Sequence, residues 1–216
     1  MHSIPTSGTT PRADASRASL ARHARPLLGL DLESAVVRVA GPGFDGALAL
    51  VVTTLERARD ARTRPVEVLA ASQATGAEHV VMTDYHGPDF LRTPSTDAAR
   101  DLYAGAGVSP SDVDCAQIYD AFTPLVLLGL EEFGFCGAGE GGAFASEGHL
   151  EWPNGSLPCN TSGGGLSEAY VHGFNLMAEG VRQMRGTSTC QVEGAEVGLV
   201  TSGAGVPTSA MLLART

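Results

Sequence analysis

The chain contains the stretch Cys159-Asn160-Thr161-Ser162-Gly163-Gly164-Gly165-Leu166-Ser167-Glu168-Ala169-Tyr170-Val171-His172-Gly173, a polar turn that leads into a predicted helix. Three successive glycines allow the backbone to approach a ligand closely and to adopt positive φ values. The spacing of apolar residues predicts a helix from Ser167 to about Arg185, with free N–H groups at its start and Tyr170 one turn inside it. The sequence therefore predicts a site at which backbone N–H groups and a tyrosine meet.

On either side of this stretch, apolar runs typical of strands alternate with amphipathic segments typical of helices, which predicts a layered α/β sheet. The predicted strands are 47–52, 66–72, 115–119, 196–201 and 206–213, and the other predicted helices are 54–62, 95–106 and 123–133. The run 47–52 is apolar throughout and is predicted to be buried on both faces. Residues 76–94 and 137–158 are predicted to be irregular loops.

Composition excludes several classes of protein. A formal net charge of −10 over 216 residues argues against a nucleic-acid partner. It also means that binding of an anionic ligand needs a local positive patch or a second chain. No apolar run approaches the roughly 18 residues of a membrane span. The four cysteines lack zinc-binding spacing, so no metal site is expected, and their separation fits a reduced cytoplasmic compartment.

Residues 1–25 have little periodicity and are predicted to be a mobile segment that precedes a domain at 26–216.

Four segments resemble, in order, the C-terminal half of thiolases, and most closely the sterol-carrier or lipid-transfer branch of that superfamily. Residues 44–52, Phe-Asp-Gly-Ala-Leu-Ala-Leu-Val-Val, resemble its Asp-Gly-Ala strand, and 118–122, Ile-Tyr-Asp-Ala-Phe, stand where thiolases carry Asn-Glu-Ala-Phe or His-Glu-Ala-Phe. Residues 160–173 stand where thiolases carry Asn-x-x-Gly-Gly and then Gly-His-Pro, and 201–205 where a catalytic cysteine precedes glycines. The resemblance implies the C-terminal half of a thiolase-like layered α/β fold, a mixed sheet with helices on its faces. The half that carries the nucleophilic cysteine is not among these residues.

Three substitutions within these motifs point away from ordinary thiolase chemistry. Tyr170 occupies the place of the thiolase histidine, Tyr119 that of the Asn or His, and Ser202 stands near the second cysteine. The tyrosine pair resembles the lipid-transfer-protein aldolases of steroid side-chain degradation. That resemblance implies retro-aldol cleavage of a β-hydroxyacyl-CoA, supported by two tyrosines and by a partner of the zinc-ribbon and OB-fold type. It also implies a coenzyme A thioester as substrate and no bound cofactor.

The candidate catalytic residues are Tyr119, Tyr170, Asp120 and His172, and the candidate substrate-binding residues are Asn160, Gly163, Gly164, Gly165, Ser202 and Gly203. Either tyrosine can act as acid or base, but a phenolate needs help to form because the ordinary tyrosine pKa is about 10. His172 and the predicted helix N-terminus are candidates for that help. The Asp120 carboxylate would oppose phenolate formation, so it is expected to orient a hydroxyl or a water. The glycine N–H groups could stabilise a thioester oxyanion.

Other interpretations of these residues remain open. Tyr170 could simply be packed, Tyr119 and Asp120 could cap a turn, and His172 could lie on the surface. Cys159 could be a nucleophile, although a buried thiol is the commoner case. The chain could also be part of a heteromer with acyltransferase activity, completed by a separate N-terminal thiolase half. It could equally be a non-catalytic subunit that binds acyl-CoA or lipid, a homo-oligomer, or a truncated gene product.

Overall fold

The computed structural model describes residues 35–41, 44–76, 92–168, 170–202 and 208–216. They form two compact units, one with residues 49–65 together with 35 and 36, and the other with the rest. The predicted mobile segment at 1–25, most of the predicted loop at 76–94, and Gly203 lie outside the described residues. No helix in the described part of the chain is long and apolar enough to cross a membrane.

The strands of the larger sheet run in both directions. β1 (Ala35–Gly41) and β2 (Phe44–Leu50) form a two-stranded sheet. The four-stranded sheet has the order β3-β6-β5-β4, with β3 at Val66–Ala74, β4 at Cys115–Gln117, β5 at Val197–Ser202 and β6 at Thr208–Arg215. β6 is antiparallel to both of its neighbours, whereas β4 and β5 are parallel. This confirms the predicted mixed sheet.

The helices are α1 (Leu55–Ala58), α2 (Ser95–Ala106), α3 (Thr123–Glu132), α4 (Gly141–Ser146), α5 (Gly164–Ser167) and α6 (Phe174–Arg185), with a 3-10 turn at Pro110–Asp112. α2 has its predicted bounds, because Gly107 adopts φ 70° and ends the helix in a left-handed cap. α3 begins at its Thr-Pro pair, as predicted, since proline favours the first turn of a helix.

Hydrophobic clusters lie on the two faces of the four-stranded sheet. Leu199 and Leu212 belong to a cluster with residues of α2, whereas their neighbours Val200 and Leu213 belong to a second cluster with residues of α6. Because successive side chains of a strand point to opposite faces, α2 and α6 cover opposite sides of the sheet. The sheet is therefore the middle layer between two helices, as the layered α/β prediction requires.

Three sequence predictions are wrong in detail. Ala47 and Ala49 of β2 are exposed, so this strand is not buried on both faces, because a two-stranded sheet leaves a face open. The helix predicted at 54–62 is the single turn α1, which Thr54 caps by accepting a hydrogen bond from the Arg57 N–H. The segment predicted as an irregular loop at 137–158 contains α4.

The predicted helix from Ser167 to Arg185 is wrong in its first part. The chain forms α5, leaves the helical conformation, and begins α6 only at Phe174. His172 has φ 49° and Gly173 has φ 81°, both in the left-handed region, which a continuous right-handed helix excludes. Tyr170 therefore lies between two helices rather than one turn inside one.

Candidate active site

The two tyrosines meet at their hydroxyl groups. Tyr119 lies two residues beyond the end of β4, and its N–H donates to Oγ1 of Thr201 on β5 with a donor–acceptor distance of 2.9 Å. Its hydroxyl oxygen lies 2.5 Å from that of Tyr170, and the ring centroids are 6.4 Å apart with planes inclined by 53°. The structure thus brings together the two residues that the sequence singled out for acid/base chemistry.

Each tyrosine ring lies against a glycine. A Cβ atom added to Gly165 would be 2.9 Å from Cδ2 and Cε2 of Tyr170, so any other residue at this position would displace the ring. A Cβ atom added to Gly173 would be 3.3 Å from Cδ2 of Tyr119. These two glycines therefore leave the space in which the rings pack.

Asp120 binds the start of α5. Its side chain is buried, with 4% of the residue exposed. The Gly165 N–H donates to Oδ1 at 2.7 Å, and the Leu166 N–H donates to Oδ2 at 3.2 Å. Both carboxylate oxygens of Asp120 thus accept hydrogen bonds from backbone N–H groups, an interaction that the sequence did not predict.

This arrangement limits which glycines can stabilise an oxyanion. The Gly165 N–H is bound to Asp120, and the Gly163 N–H donates to the Asn160 carbonyl oxygen at 2.8 Å. The Gly164 N–H has no hydrogen-bond partner among the described residues. Of the three predicted donors, Gly164 is the one whose N–H remains free there.

Asn160 joins the glycine turn to the end of β4. Its Oδ1 accepts from the Ile118 N–H at 2.8 Å, and its Nδ2 donates to the Ile118 carbonyl oxygen at 2.9 Å. Its φ of 50° places it in the left-handed region that asparagine tolerates better than most residues. These contacts hold the backbone next to Tyr119, whereas binding of substrate by Asn160 stays a prediction.

The surroundings of Tyr170 favour its neutral form. Burial raises the pKa of this phenol above its ordinary value, and the hydrogen bond and electrostatic interaction with Tyr119 and the negative charge of Asp120 raise it further. The opposition of Asp120 to phenolate formation was predicted correctly. The help expected from the helix N-terminus and His172 does not outweigh these effects at Tyr170, so this residue retains its proton.

His172 contacts the same ring from the side. Its imidazole meets the Tyr170 ring edge-on, with centroids 5.2 Å apart and planes inclined by 77°. The side chain is exposed, and no hydrogen bond of its ring is present among the described residues. The imidazole is therefore near the tyrosine pair but not bonded to either hydroxyl in this structure.

Ser202 and Cys159 do not join the tyrosine pair. Ser202 ends β5, and its hydroxyl is 2.8 Å from that of Ser209. Burial raises the pKa of the Cys159 thiol to about 12, which disfavours the thiolate that a nucleophile needs. No group of three His, Cys, Asp or Glu side chains suited to a metal ion occurs in the described part of the chain.

A buried polar stripe on α6 was missed by the sequence analysis. Asn175, Glu179 and Gln183 are spaced four residues apart and are at most 2% exposed. Oε1 of Glu179 accepts hydrogen bonds from Thr161, Ser188 and Gln183. A polar stripe at helical spacing normally indicates a solvated face. The only signal in the sequence was the absence of lysine and arginine from these three positions.

Comparison with known proteins identifies the family. Residues 74–214 match the family model described as thiolase C-terminal domain-like. This chain belongs to that family. It is 49% identical over 170 residues to the 17-hydroxy-3-oxo-4-pregnene-20-carboxyl-CoA lyase of Mycobacterium tuberculosis, a match that covers 78% of this chain and 44% of the lyase. It is 48% identical over 170 residues to the steroid side-chain-cleaving aldolase of Thermomonospora curvata, over 78% of this chain and 43% of the aldolase.

A solved structure supports the same family relationship. The structure titled Ltp2-ChsH2(DUF35) aldolase matches with a TM-score of 0.77 and 46% sequence identity, over 79% of this chain and 45% of that chain. These matches confirm the predicted resemblance to the steroid side-chain aldolase branch of the thiolase-like proteins. The chain spans less than half the length of the relatives that it matches.

Proposed function

We propose that this chain supplies the acid/base groups of a lyase that cleaves a C–C bond of a β-hydroxyacyl-CoA by retro-aldol chemistry. The observation that carries the proposal is the 2.5 Å contact between the hydroxyls of Tyr119 and Tyr170. Each tyrosine stands where thiolases carry a different polar residue, and the two similar proteins named above are a CoA lyase and a steroid side-chain-cleaving aldolase.

The two phenols can carry out all the proton transfers of the reaction. Tyr119, as a phenolate that accepts a hydrogen bond from Tyr170, removes the proton of the substrate β-hydroxyl. The Cα–Cβ bond breaks, the β-carbon becomes a carbonyl, and the electron pair forms the thioester enolate. Tyr170 then protonates Cα, and the proton on Tyr119 returns to Tyr170 across their short contact. The net result moves one proton from the β-hydroxyl to Cα and leaves both tyrosines as they began.

The enolate oxygen needs hydrogen-bond donors during this step. We assign the Gly164 N–H to that role, because the N–H groups of Gly163 and Gly165 are already bound. Donors of this kind are worth about 3–4 kcal/mol in other enzymes. Asn160 would support the donor indirectly, since it holds the turn that precedes it.

A second protein surface is part of the proposal. The net charge of −10 is unfavourable for coenzyme A phosphates. Phe122, two residues after Asp120, and Leu166, within α5, are 60% and 57% exposed. We therefore propose a partner of the zinc-ribbon and OB-fold type, or a separate N-terminal thiolase half, which covers these side chains and supplies positive charge. All four cysteines are unpaired, which fits action in the reducing cytoplasm.

The test is cleavage of 17-hydroxy-3-oxo-4-pregnene-20-carboxyl-CoA by the chain reconstituted with its partner. Retro-aldol cleavage of this compound would release propionyl-CoA and a 17-keto steroid. We expect Tyr119→Phe and Tyr170→Phe each to lower kcat by about 10²–10⁴-fold. Tyr103→Phe is the matched control, because this tyrosine also donates a hydrogen bond but to the Phe133 carbonyl oxygen. Unchanged turnover in both site variants would reject the proposal.

An acyltransferase reaction is the second candidate. The chain is 34% identical to the acetyl-CoA acetyltransferase of Methanothermobacter thermautotrophicus, over 73% of this chain and 41% of that protein. Such a reaction would need a nucleophilic cysteine from a partner, because the Cys159 thiol resists ionisation. Inactivation of the complex by iodoacetamide would favour this candidate, whereas the tyrosine lyase should resist it.

A further inference from the structure

The peptide unit between Gly164 and Gly165 is held from both sides. Its carbonyl oxygen accepts a hydrogen bond from Nδ2 of Asn175 at 3.1 Å, and its N–H donates to Oδ1 of Asp120 at 2.7 Å. Asp120 is 4% exposed and Asn175 is 2% exposed. A single peptide plane thus lies between two buried side chains that come from different parts of the chain.

The orientation of Asn175 is set by its neighbours. Its Nδ2 group faces two oxygens, the Gly164 carbonyl and Oε2 of Glu168 at 3.3 Å, so the amide can present only its donor side there. The same carbonyl oxygen also accepts from the Glu168 N–H within α5. Rotation of this peptide would therefore break bonds to α5, α6 and the segment after β4 together.

This peptide also supports the tyrosine pair. The Tyr170 ring packs directly on Gly165, as shown by the 2.9 Å separation between its edge and an added Cβ atom. Asp120 follows Tyr119 in the chain, and Asn175 lies two residues after Gly173, on which the Tyr119 ring packs. A change at this peptide would thus be transmitted to both rings.

We propose that Asp120 and Asn175 form a clamp on the Gly164–Gly165 peptide and are positioning residues that hold Tyr170 where its hydroxyl meets that of Tyr119. The catalytic meaning of the clamp rests on the proposed function. Asp120 then acts through its hydrogen bonds, because both of its oxygens accept from backbone N–H groups. It acts on Tyr170 through the peptide and through its charge.

The charge of Asp120 allows a test on the pKa of Tyr170, a quantity that a change in packing alone would not alter in the same way. Among the residues that the structure describes, the titratable groups that face Tyr170 are Tyr119, Asp120 and His172. Asp120→Asn keeps the size of the side chain and an oxygen for the Gly165 N–H but removes the negative charge. We expect the pKa of Tyr170 to fall in this variant, since that charge is one of the causes that raise it.

The titration would follow tyrosinate absorbance in the full chain. To isolate the signal of Tyr170, the titration curve of the same protein carrying Tyr170→Phe would be subtracted. Hydrogen exchange of the Gly165 amide provides the second measurement. We expect Asn175→Ala to accelerate this exchange about tenfold, because one hydrogen bond of the shared peptide is lost. Ser95→Ala is the matched control, since Ser95 is buried and bonded to Thr93, just before α2, and to Thr208 on β6. It should change neither measurement.

Two results would overturn the clamp. One is an unchanged Tyr170 titration in Asp120→Asn, and the other is an equal acceleration of Gly165 exchange by Ser95→Ala and Asn175→Ala, which would indicate a general loss of stability. Substrate cleavage separates this inference from the proposed function. If Tyr170→Phe leaves cleavage intact while both expected shifts occur, the clamp stands and the lyase assignment fails.

Discussion

The hydroxyl oxygens of Tyr119 and Tyr170 lie 2.5 Å apart although the residues are separated by 51 positions in the chain. One follows a strand of the sheet and the other lies between two helices, so the contact depends on the packing of the sheet against α6. It brings two ionisable groups within proton-transfer distance. The predictions below test what this contact requires.

Gly165→Ala should disrupt the site without straining the backbone. The added methyl group would lie 2.9 Å from the Tyr170 ring and 3.0 Å from Oδ1 of Asp120, so the ring must move. We expect cleavage to fall at least tenfold and the free energy of unfolding to drop by about 1–3 kcal/mol. Gly105→Ala is the control, because its Cβ would meet only Ala70 at 3.5 Å. Equal activity of the two variants would contradict the packing argument.

The proposed lyase activity should persist at moderately alkaline pH. Tyr170 must be protonated to deliver a proton to Cα, and its pKa is raised above the ordinary tyrosine value of about 10. We therefore expect kcat, corrected for spontaneous thioester hydrolysis, to show no decline between pH 7 and about 9.5. A decline with its midpoint within this range would show that Tyr170 is not the proton donor.

Loss of Glu179 should destabilise the fold strongly. Glu179→Ala removes the acceptor of three hydrogen bonds, from Thr161, Ser188 and Gln183, at a site that is 2% exposed. We expect the free energy of unfolding in urea to fall by about 3–5 kcal/mol. Glu179→Gln retains one oxygen and should lose less.

The exposed Glu193 provides the control for this measurement. Glu193→Ala should change the free energy of unfolding by no more than about 0.5 kcal/mol. If Glu179→Ala behaves like this control, the hydrogen bonds of Glu179 do not stabilise the fold.

Stability should decline in alkaline solution because of a buried thiol. Burial raises the pKa of Cys115 to about 12, whereas an unfolded thiol ionises near 8.5. Since the pKa is higher in the folded state, the contribution of the protonated Cys115 thiol to the free energy of unfolding is complete below about pH 8.5. This contribution is lost as the pH rises toward 12, at about 1.4 kcal/mol per pH unit.

Urea unfolding between pH 7 and 11, with a reductant present, measures this decline. Cys115→Ala should show a shallower loss of stability with pH, even if its stability at pH 7 is lower. Parallel pH dependences for the two proteins would exclude Cys115 as a cause.

The sequence alone predicted much of the fold because the relevant signals are local. The bounds of α2 follow from its apolar spacing and from Gly107, and the Thr-Pro pair marks the start of α3. The order of four motifs was enough to predict the thiolase-like mixed sheet and to single out both tyrosines. These features depend on residues that are neighbours in the chain, so they can be read without the structure.

The tertiary structure decided what each site residue contacts. The break before α6, the backbone partners of Asp120 and the raised pKa of Tyr170 arise from contacts across 45 or more residues or from burial. A glycine at 165 permits a helix or a turn, and only the packing of the Tyr170 ring and Asp120 against it explains why a side chain there would displace its neighbours. Local pattern therefore determined which residues matter, and long-range packing determined which atoms meet, because burial and contact distance are properties of the folded chain.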